Sequence, residues 1–190
     1  MREKLGIGIV TLILAIFLSA CANNDDKSSE EKNSNYDHNM EIDHSEMNHS
    51  DSGDVPEGLK VEENSTYKVG SQAILDTDHM KGMKGAEATI VGAYDTNVYV
   101  VSYTPTTGGE RVEDHKWVIH EEIENAGNEP FQSGEEVVLN TEHMEGMKGA
   151  TAVVDSVEDM TVYMVDYTPT TGGEEVKNHK WVTESELSPK

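Results

Sequence analysis

Short segments with alternating apolar and polar residues dominate the chain from about residue 70 onward. In residues 98–104, Tyr99, Val101 and Tyr103 fall on one face of an extended strand. Residues 162–168 repeat this alternation. β-Branched and aromatic residues with a period of two are typical of half-buried strands. The pattern therefore predicts two strands whose tyrosine-bearing faces belong to a core.

Three further strands are predicted in each half of this region, and no segment has a helical period long enough to matter. They span residues 71–75, 86–94 and 116–119, with copies at 135–139, 150–157 and 180–183. Residues 121–123 are expected to form a short turn and an edge strand. A turn-rich loop at 104–109 recurs at 168–173. Four or five short strands in about 60 residues favour an all-β fold, with a small SH3-like barrel in each copy.

The two halves of this region are copies of each other. Residues 70–123 align with residues 134–187 at a constant offset of 64, and 29 of the 54 aligned positions are identical. Two long copies are typical of tandem domains rather than of a solenoid. We therefore predict a first β repeat at 61–127 and a second at 128–190, joined through a turn-rich linker.

The N-terminal sequence predicts that the chain is exported from the cytoplasm. Basic residues precede an apolar run at 5–18, which is too short to span a bilayer core of ~20 residues. The run ends in a sequence that resembles the lipobox of bacterial lipoproteins, so residues 1–20 are predicted to be a signal peptide and Cys21 the site of lipid attachment. An uncleaved membrane anchor is the alternative. Both predict a chain held at the extracytoplasmic face of the cell membrane.

Residues 21–60 are predicted to form a lipidated, disordered, acidic tether, because they show no periodic apolar pattern. Within it lies a tract rich in imidazole and thioether groups, which are candidate metal ligands. They are His38, Met40, His44, Met47 and His49. A disordered segment offers no core in which the methionines can pack, so the alternative for this tract is a compositional accident.

The net charge of the chain limits the classes of ligand that it can bind. The chain carries 37 Asp and Glu against 14 Lys and Arg, a formal net charge of −23. Nucleic acid is excluded because its binding needs a basic surface, whereas a cationic ligand suits this field. The membrane is expected as a partner only through the lipid anchor. No nucleophile elbow, phosphate loop or HExxH motif is present, so the chain is not expected to be an enzyme.

The repeats carry a second set of candidate metal ligands in matched motifs, HMxGMKGA and HKWV. The candidates are His79, Met80, Met83 and His115, with their copies His143, Met144, Met147 and His179. Cys21 is the only cysteine, so a thiolate site is excluded. Thioether favours Cu(I) and imidazole accepts both oxidation states of copper, whereas Met is a poor zinc ligand. The sequence thus favours Cu(I), with Cu(II) also possible.

A structural role is the alternative for each of these residues. Methionine in a small domain usually packs, and a single histidine is commonly a hydrogen-bonded structural group. His120 is a weaker candidate because it aligns with Glu184. Trp117 and Trp181 are expected to be core aromatics rather than cation-π partners.

The doubled HMxGMKGA, YTPTTGG and HKWV elements behind a lipobox resemble the YdhK-like lipoprotein family of Gram-positive bacteria. The resemblance covers nearly all of the chain after about residue 60 and extends to a staphylococcal copper-resistance lipoprotein associated with copper-efflux genes. It implies copper sequestration outside the membrane, with possible handover to or from efflux machinery. The rival hypothesis is a surface lipoprotein without a metal role, whose SH3-like modules bind cell wall or peptide. In that case Tyr99, Tyr103, Trp117 and their copies in the second repeat would line a groove.

Overall fold

The computed structural model describes residues 50–190, which fold into strands, turns and two short 3-10 helices. The strands are β1 (Lys60–Val61), β2 (Gln72–Leu75), β3 (Glu87–Tyr103), β4 (Val112–Ile119), β5 (Glu136–Val138), β6 (Thr151–Tyr167), β7 (Val176–Thr183) and β8 (Leu187–Pro189). The 3-10 helices His120–Glu122 and Glu184–Glu186 follow β4 and β7. The all-β class predicted from the sequence is confirmed. None of the helices in the described part of the chain is long and apolar enough to cross a membrane.

Two 17-residue strands, β3 and β6, form the centre of the sheet. They pair antiparallel along their whole length, from Ala88 opposite Tyr167 to Tyr103 opposite Ala152. The sequence pattern predicted a break near residues 95–97. The structure has no break there, because these residues continue the antiparallel ladder, with Thr96 opposite Met160. Pairing with β6 supplies hydrogen-bond partners for their backbone groups.

The sheet is open. Its strand order is β5-β6-β3-β2-β8, with β1 and β4 also paired to β3 and β7 to β6. The two ends correspond, because β4 pairs with β3 in the register that β7 uses on β6: Tyr99 opposite Val118 and Tyr163 opposite Val182. The tandem repeat therefore produces two similar halves. The finer expectation of an SH3-like barrel in each repeat is not confirmed, since the sheet does not close.

Each half of the molecule has a hydrophobic core built from both repeats. One core combines early residues of the first repeat, such as Leu75 and Ile90, with late residues of the second, such as Tyr163 and Val165. The other core combines Tyr99 and Val101 with residues 137–154 of the second repeat. The predicted tyrosine-bearing faces are indeed buried. Because β3 and β6 pair antiparallel, the start of one strand lies beside the end of the other, and each core combines residues of both repeats.

A third hydrophobic cluster contains residues of β3, β4, β6 and β7. Trp117 and Trp181 lie in it with exposed fractions of 9% and 0%, as predicted for core aromatics. Each indole also lies beneath the ammonium group of the preceding lysine, at 5.2 Å for Lys116 and 5.9 Å for Lys180. Tyr99, Tyr103 and Trp117 are therefore packed inside the fold instead of lining a surface groove.

The folded part begins before the boundary predicted at residue 61. The backbone N–H of Asp51 donates to the carbonyl of Lys177 at 2.9 Å, and Asn178 Nδ2 donates to the Asp51 carbonyl at 3.0 Å. β1 pairs with β3 through Lys60 and Val61. Residues 50–61 thus have specific partners on β3 and β7.

Several predictions concern the first 49 residues and lie outside the described part of the chain. They are the signal peptide, the lipid attachment at Cys21 and the tether ligands His38, Met40, His44, Met47 and His49.

Candidate functional site

All four motif histidines and two motif methionines line one cavity between the repeats. Its volume is about 440 Å³. The lining groups that can bind a metal through nitrogen or sulfur are His79, Met80, His115, His143, Met144 and His179. Each repeat contributes three of them, so the cavity is shared.

The HMxGM loops lie between β2 and β3 and between β5 and β6. Each loop places its two methionines in different surroundings. Met80 lines the cavity, whereas Met83 is fully buried in one core. A backbone hydrogen bond from Met83 N–H to Met80 C=O, 3.1 Å, forms the tight turn that separates them. Met144 and Met147 are divided in the same way. The structure therefore brings only the first methionine of each motif to the cavity, and the second anchors the loop by packing.

Each HMxGM loop is held by the TPTTGG loop of the other repeat. Thr170 donates to the Gly82 carbonyl through its backbone N–H, 2.8 Å, and its hydroxyl, 3.1 Å. Gly82 has φ of +80°, and a Cβ built there would lie 2.5 Å from Thr171 Oγ1. Thr106 makes the same contacts with Gly146. These contacts bring the two loop motifs, although distant in sequence, side by side in the fold.

An irregular stretch of β4 positions His115. The ladder with β3 shifts register on both sides of the pair between Val101 and His115. Asp114, just before this histidine, has φ of +52° and donates its N–H to Ser102 Oγ at 3.1 Å. Asp and Asn accept this left-handed conformation better than other residues with a Cβ, and Asn178 occupies the matching position before His179. Such bulges reorient side chains relative to a regular strand.

His115 is a buried imidazole with an unused nitrogen. Its Nε2 has no hydrogen-bond partner among the described residues. The ring lies 6.2 Å, centroid to centroid, from the ring of His143 and packs edge-on against Tyr103. Burial, followed by the nearby imidazoles of His143 and His79, lowers the pKa of His115 to about 4. The ring is therefore neutral near pH 7, with a nitrogen lone pair available to a ligand.

His179 occupies the corresponding position on β7. It lies opposite Val165, as His115 lies opposite Val101. Its ring is 7% exposed and packs edge-on against Tyr167 at 5.8 Å. The strand histidine of each repeat thus has a tyrosine as its neighbour.

The loop histidines bind to carboxylates that sequence analysis did not identify. His79 Nε2 lies 2.6 Å from Glu186 Oε1, and His143 Nε2 lies 2.8 Å from Glu122 Oε1. In both pairs the histidine and the glutamate come from different repeats. The one available signal was that Glu122 and Glu186 are identical at the offset of 64. This identity does not distinguish them in the sequence, because acidic residues are abundant in this chain.

These glutamates are ionised and firmly held. Burial alone raises the pKa of Glu186, but hydrogen bonds from His79, Thr183 and Trp117 outweigh it and lower that pKa to about 2. The pKa of Glu122 is likewise lowered, because contact with His143 and other donors outweighs the effect of burial. Two fixed negative charges therefore lie behind the cavity.

The rim of the cavity is mostly acidic. Five carboxylates and two lysines line it: Asp51, Glu113, Asp114, Glu142 and Glu145, with Lys116 and Lys180. Lys180 Nζ donates to Asp51 Oδ1 at 3.0 Å. The remaining excess of negative charge favours entry of a cation.

The site residues predicted in the repeats thus divide into two groups. Six of the eight line the cavity, whereas Met83 and Met147 lie in the cores. No three His, Cys, Asp or Glu side chains in residues 50–190 are grouped closely enough to hold a metal ion. A metal in the cavity would therefore need the two methionine sulfurs, or small side-chain movements, to complete its coordination. His120 lies elsewhere, with Nδ1 2.8 Å from the hydroxyl of Tyr99 and Nε2 2.8 Å from the carbonyl of Gly127.

Comparison with known proteins places both repeats in one family. Residues 69–120 and 133–184 match the family described as "Protein of unknown function (DUF1541)". The chain is 60% identical over 188 residues to the "Uncharacterized protein YdhK" of Bacillus subtilis (strain 168), covering 99% of this chain and 90% of that protein.

Solved structures of that relative have the same fold. A crystal structure of the DUF1541 family protein ydhK from Bacillus subtilis is 68% identical with a TM-score of 0.74, over 77% of this chain and all of that one. A second crystal structure of ydhK is 69% identical with a TM-score of 0.63, over 64% of this chain and 98% of that one. On the evidence of its two matched repeats and this similarity, the chain belongs to the DUF1541 family.

Proposed function

We propose that the protein binds copper in the cavity shared by its repeats. The observation that carries this proposal is His115, whose buried Nε2 has no hydrogen-bond partner within residues 50–190 and whose ring lies 6.2 Å from that of His143. A buried polar nitrogen without a partner is unfavourable unless something occupies it. A copper ion with an imidazole on either side would satisfy it.

The lining chemistry selects copper over other cations. Met80 and Met144 supply thioether sulfur, which favours Cu(I), and the histidines accept either oxidation state. Zinc is disfavoured because its sites normally use thiolate or carboxylate beside imidazole. The acidic rim raises the local concentration of cations without itself providing a closed hard-metal site.

The cellular role that follows is copper sequestration at the cell surface and a contribution to copper resistance. A lipid on Cys21 would hold bound copper outside the membrane, and the His- and Met-bearing tether would add weaker ligands. The bound metal would then be available for exchange with copper-efflux machinery. These steps follow from the sequence expectations for residues 1–49 together with the cavity.

An anaerobic competition titration tests the proposal. Residues 22–190 and residues 50–190 are titrated with Cu(I) against a colorimetric chelator, with Zn(II) as the metal control. Both proteins are expected to withdraw Cu(I) and not Zn(II), because the cavity is common to them. If only the longer protein competes, the tether is the ligand. If neither competes, copper sequestration is excluded.

A matched pair of variants locates the site. H115A and H143A together are expected to lower the Cu(I) affinity of residues 50–190, because they remove the facing imidazoles. H120A is the control, since both nitrogens of His120 are already hydrogen-bonded outside the cavity. Equal affinities for the two proteins would place copper elsewhere.

A further inference from the structure

We propose that Glu122 and Glu186 are positioning residues that fix His143 and His79 as Nε2–H tautomers, so that each of these histidines binds copper through Nδ1. This inference rests on the proposed function and specifies how its ligands are presented. It assigns a role to two carboxylates that lie behind the cavity and to the tryptophans that hold them.

Both oxygens of Glu186 already accept hydrogen bonds. Oε1 lies 2.6 Å from His79 Nε2 and accepts from the Thr77 hydroxyl at 3.2 Å. Oε2 accepts from Trp117 Nε1 at 2.9 Å and from the backbone N–H of Thr183 at 2.9 Å. A carboxylate surrounded by donors in this way remains ionised and is an acceptor only.

The other half of the molecule repeats each contact. Glu122 Oε1 lies 2.8 Å from His143 Nε2 and accepts from the Thr141 hydroxyl at 3.2 Å. Its Oε2 accepts from Trp181 Nε1 at 3.1 Å and from the backbone N–H of Ile119 at 3.2 Å. The same four types of contact to a glutamate therefore occur twice, at an offset of 64 residues.

The proton position follows from these contacts. Since an ionised carboxylate cannot donate, the Nε2 that approaches it at hydrogen-bond distance must carry the hydrogen. A neutral imidazole has one N–H and one lone pair, so the neutral form of His79 or His143 that donates from Nε2 carries its lone pair on Nδ1. Carboxylates that hold a ligating histidine by its other nitrogen fix its tautomer and raise its basicity.

The carboxylates keep their position independently of the histidines. The indole and backbone donors hold Oε2 of each glutamate, on the side away from the imidazole contact. Each indole is itself buried in the third hydrophobic cluster. Copper binding at Nδ1 therefore leaves the carboxylate contact intact. His115 differs, because the nitrogen that lacks a partner among the described residues is Nε2. The loop histidines would therefore bind copper through Nδ1, and His115 on β4 through Nε2.

Nitrogen NMR of the histidine rings tests this directly. Residues 22–190, which keep every described residue, are labelled with ¹⁵N and observed without metal and with Cu(I). We expect His79 and His143 to be Nε2–H tautomers without metal, and their Nδ1 resonances to shift when Cu(I) is added. An Nδ1–H tautomer in the metal-free protein, or a copper-induced shift at Nε2 alone, overturns the inference.

A substitution gives an independent readout. In E122Q the amide oxygen can serve the Trp181 and Ile119 donors only by turning its NH₂ toward His143, which reverses that tautomer. We expect His143 to become an Nδ1–H tautomer and the Cu(I) affinity to fall about tenfold or more. E121Q is the matched control, because Glu121 accepts a hydrogen bond from Thr96 and is not among the residues that line the cavity. It should change neither quantity.

The two proposals fail differently. If the wild-type protein binds no Cu(I), the proposed function fails. If it binds Cu(I) but E122Q keeps both the tautomer and the affinity of the wild type, copper binding stands and the positioning role of Glu122 is wrong. Thermal unfolding of E122Q confirms that the comparison is made on folded protein.

Discussion

Single buried residues determine how the cavity responds to acid. His115 has a pKa of about 4 in the folded protein, chiefly because burial disfavours its charged form, against 6.5 for a free histidine. Between these pH values the unfolded chain binds a proton that the folded chain does not. The free energy of unfolding therefore rises with pH in that window. His115 contributes its stability above pH 6.5 and loses it as the pH falls toward 4.

H115Q is expected to flatten this dependence. The lost contribution corresponds to about 3 kcal/mol across the window, at ~1.4 kcal/mol for each pH unit of pKa shift. Urea unfolding between pH 4 and 6.5 measures it, with H120Q as the control. Retention of the wild-type slope by H115Q would show that another group causes the acid sensitivity.

The two methionines of each loop should separate stability from binding. Met83 is fully buried, so M83A is expected to lower the free energy of unfolding by about 2–5 kcal/mol through a cavity in the core. M80A removes a cavity-lining sulfur and should lower Cu(I) affinity with a smaller loss of stability. Denaturation and competition titration measure the two effects. A larger loss of copper affinity in M83A than in M80A contradicts this division.

The four histidines and two methionines that line the cavity are among the candidate ligands predicted from the sequence. They could be identified because they recur in motifs matched at an offset of 64 residues. The sequence could not predict that Met80 lines the cavity while Met83 is buried in a core. Both belong to the same motif, and only the turn between them separates their surroundings. Glu122 and Glu186 were hidden among 37 acidic residues.

The loops and strands depend on contacts between the repeats. G82A tests the contact that holds the HMxGM loop, because its Cβ would lie 2.5 Å from Thr171 Oγ1 in addition to the positive φ. G85A has nearly the same φ, +78°, in open space. We expect G85A to lower the free energy of unfolding by about 1–2 kcal/mol through backbone strain alone.

G82A should lower it by about 1–3 kcal/mol more, the usual effect of overpacking. Urea denaturation measures the free energy of unfolding of both variants. Equal losses would mean that the TPTTGG loop moves to accommodate the Cβ at no cost in free energy. The sequence predicted the turn-rich TPTTGG loops, but not that each contacts the HMxGM loop of the other repeat. Turn residues report local conformation and carry no information about the partner.

At the largest scale, residues 50–190 form one unit in which each hydrophobic core combines parts of both repeats. The sequence could not predict this combination, because the two copies carry equivalent core residues: Val101 and Val165 fit either arrangement equally well. The difference lies in residues 95–97, which continue the strand instead of turning back. Because the strand is continuous, its residues before and after 95–97 lie in different cores.

A single repeat should therefore be unable to fold as a monomer. Residues 128–190 contain only half of each core, so we expect them to show no cooperative unfolding as a monomer. Mixing them with residues 50–127 should restore the β-sheet circular dichroism signal in a one-to-one complex. Size-exclusion chromatography with circular dichroism measures both. A folded, monomeric 128–190 fragment would contradict the need for both repeats in each core.

The most direct test of a shared copper cavity is a crystal structure of residues 22–190 with Cu(I), using anomalous scattering at the copper edge. We predict an anomalous peak inside the cavity, within about 2 Å of an imidazole nitrogen, the usual distance for such bonds. Its nearest ligands should include His115 from one repeat and His143 from the other. Copper bound only at surface carboxylates, or no peak in a protein that has taken up no copper, would contradict the account.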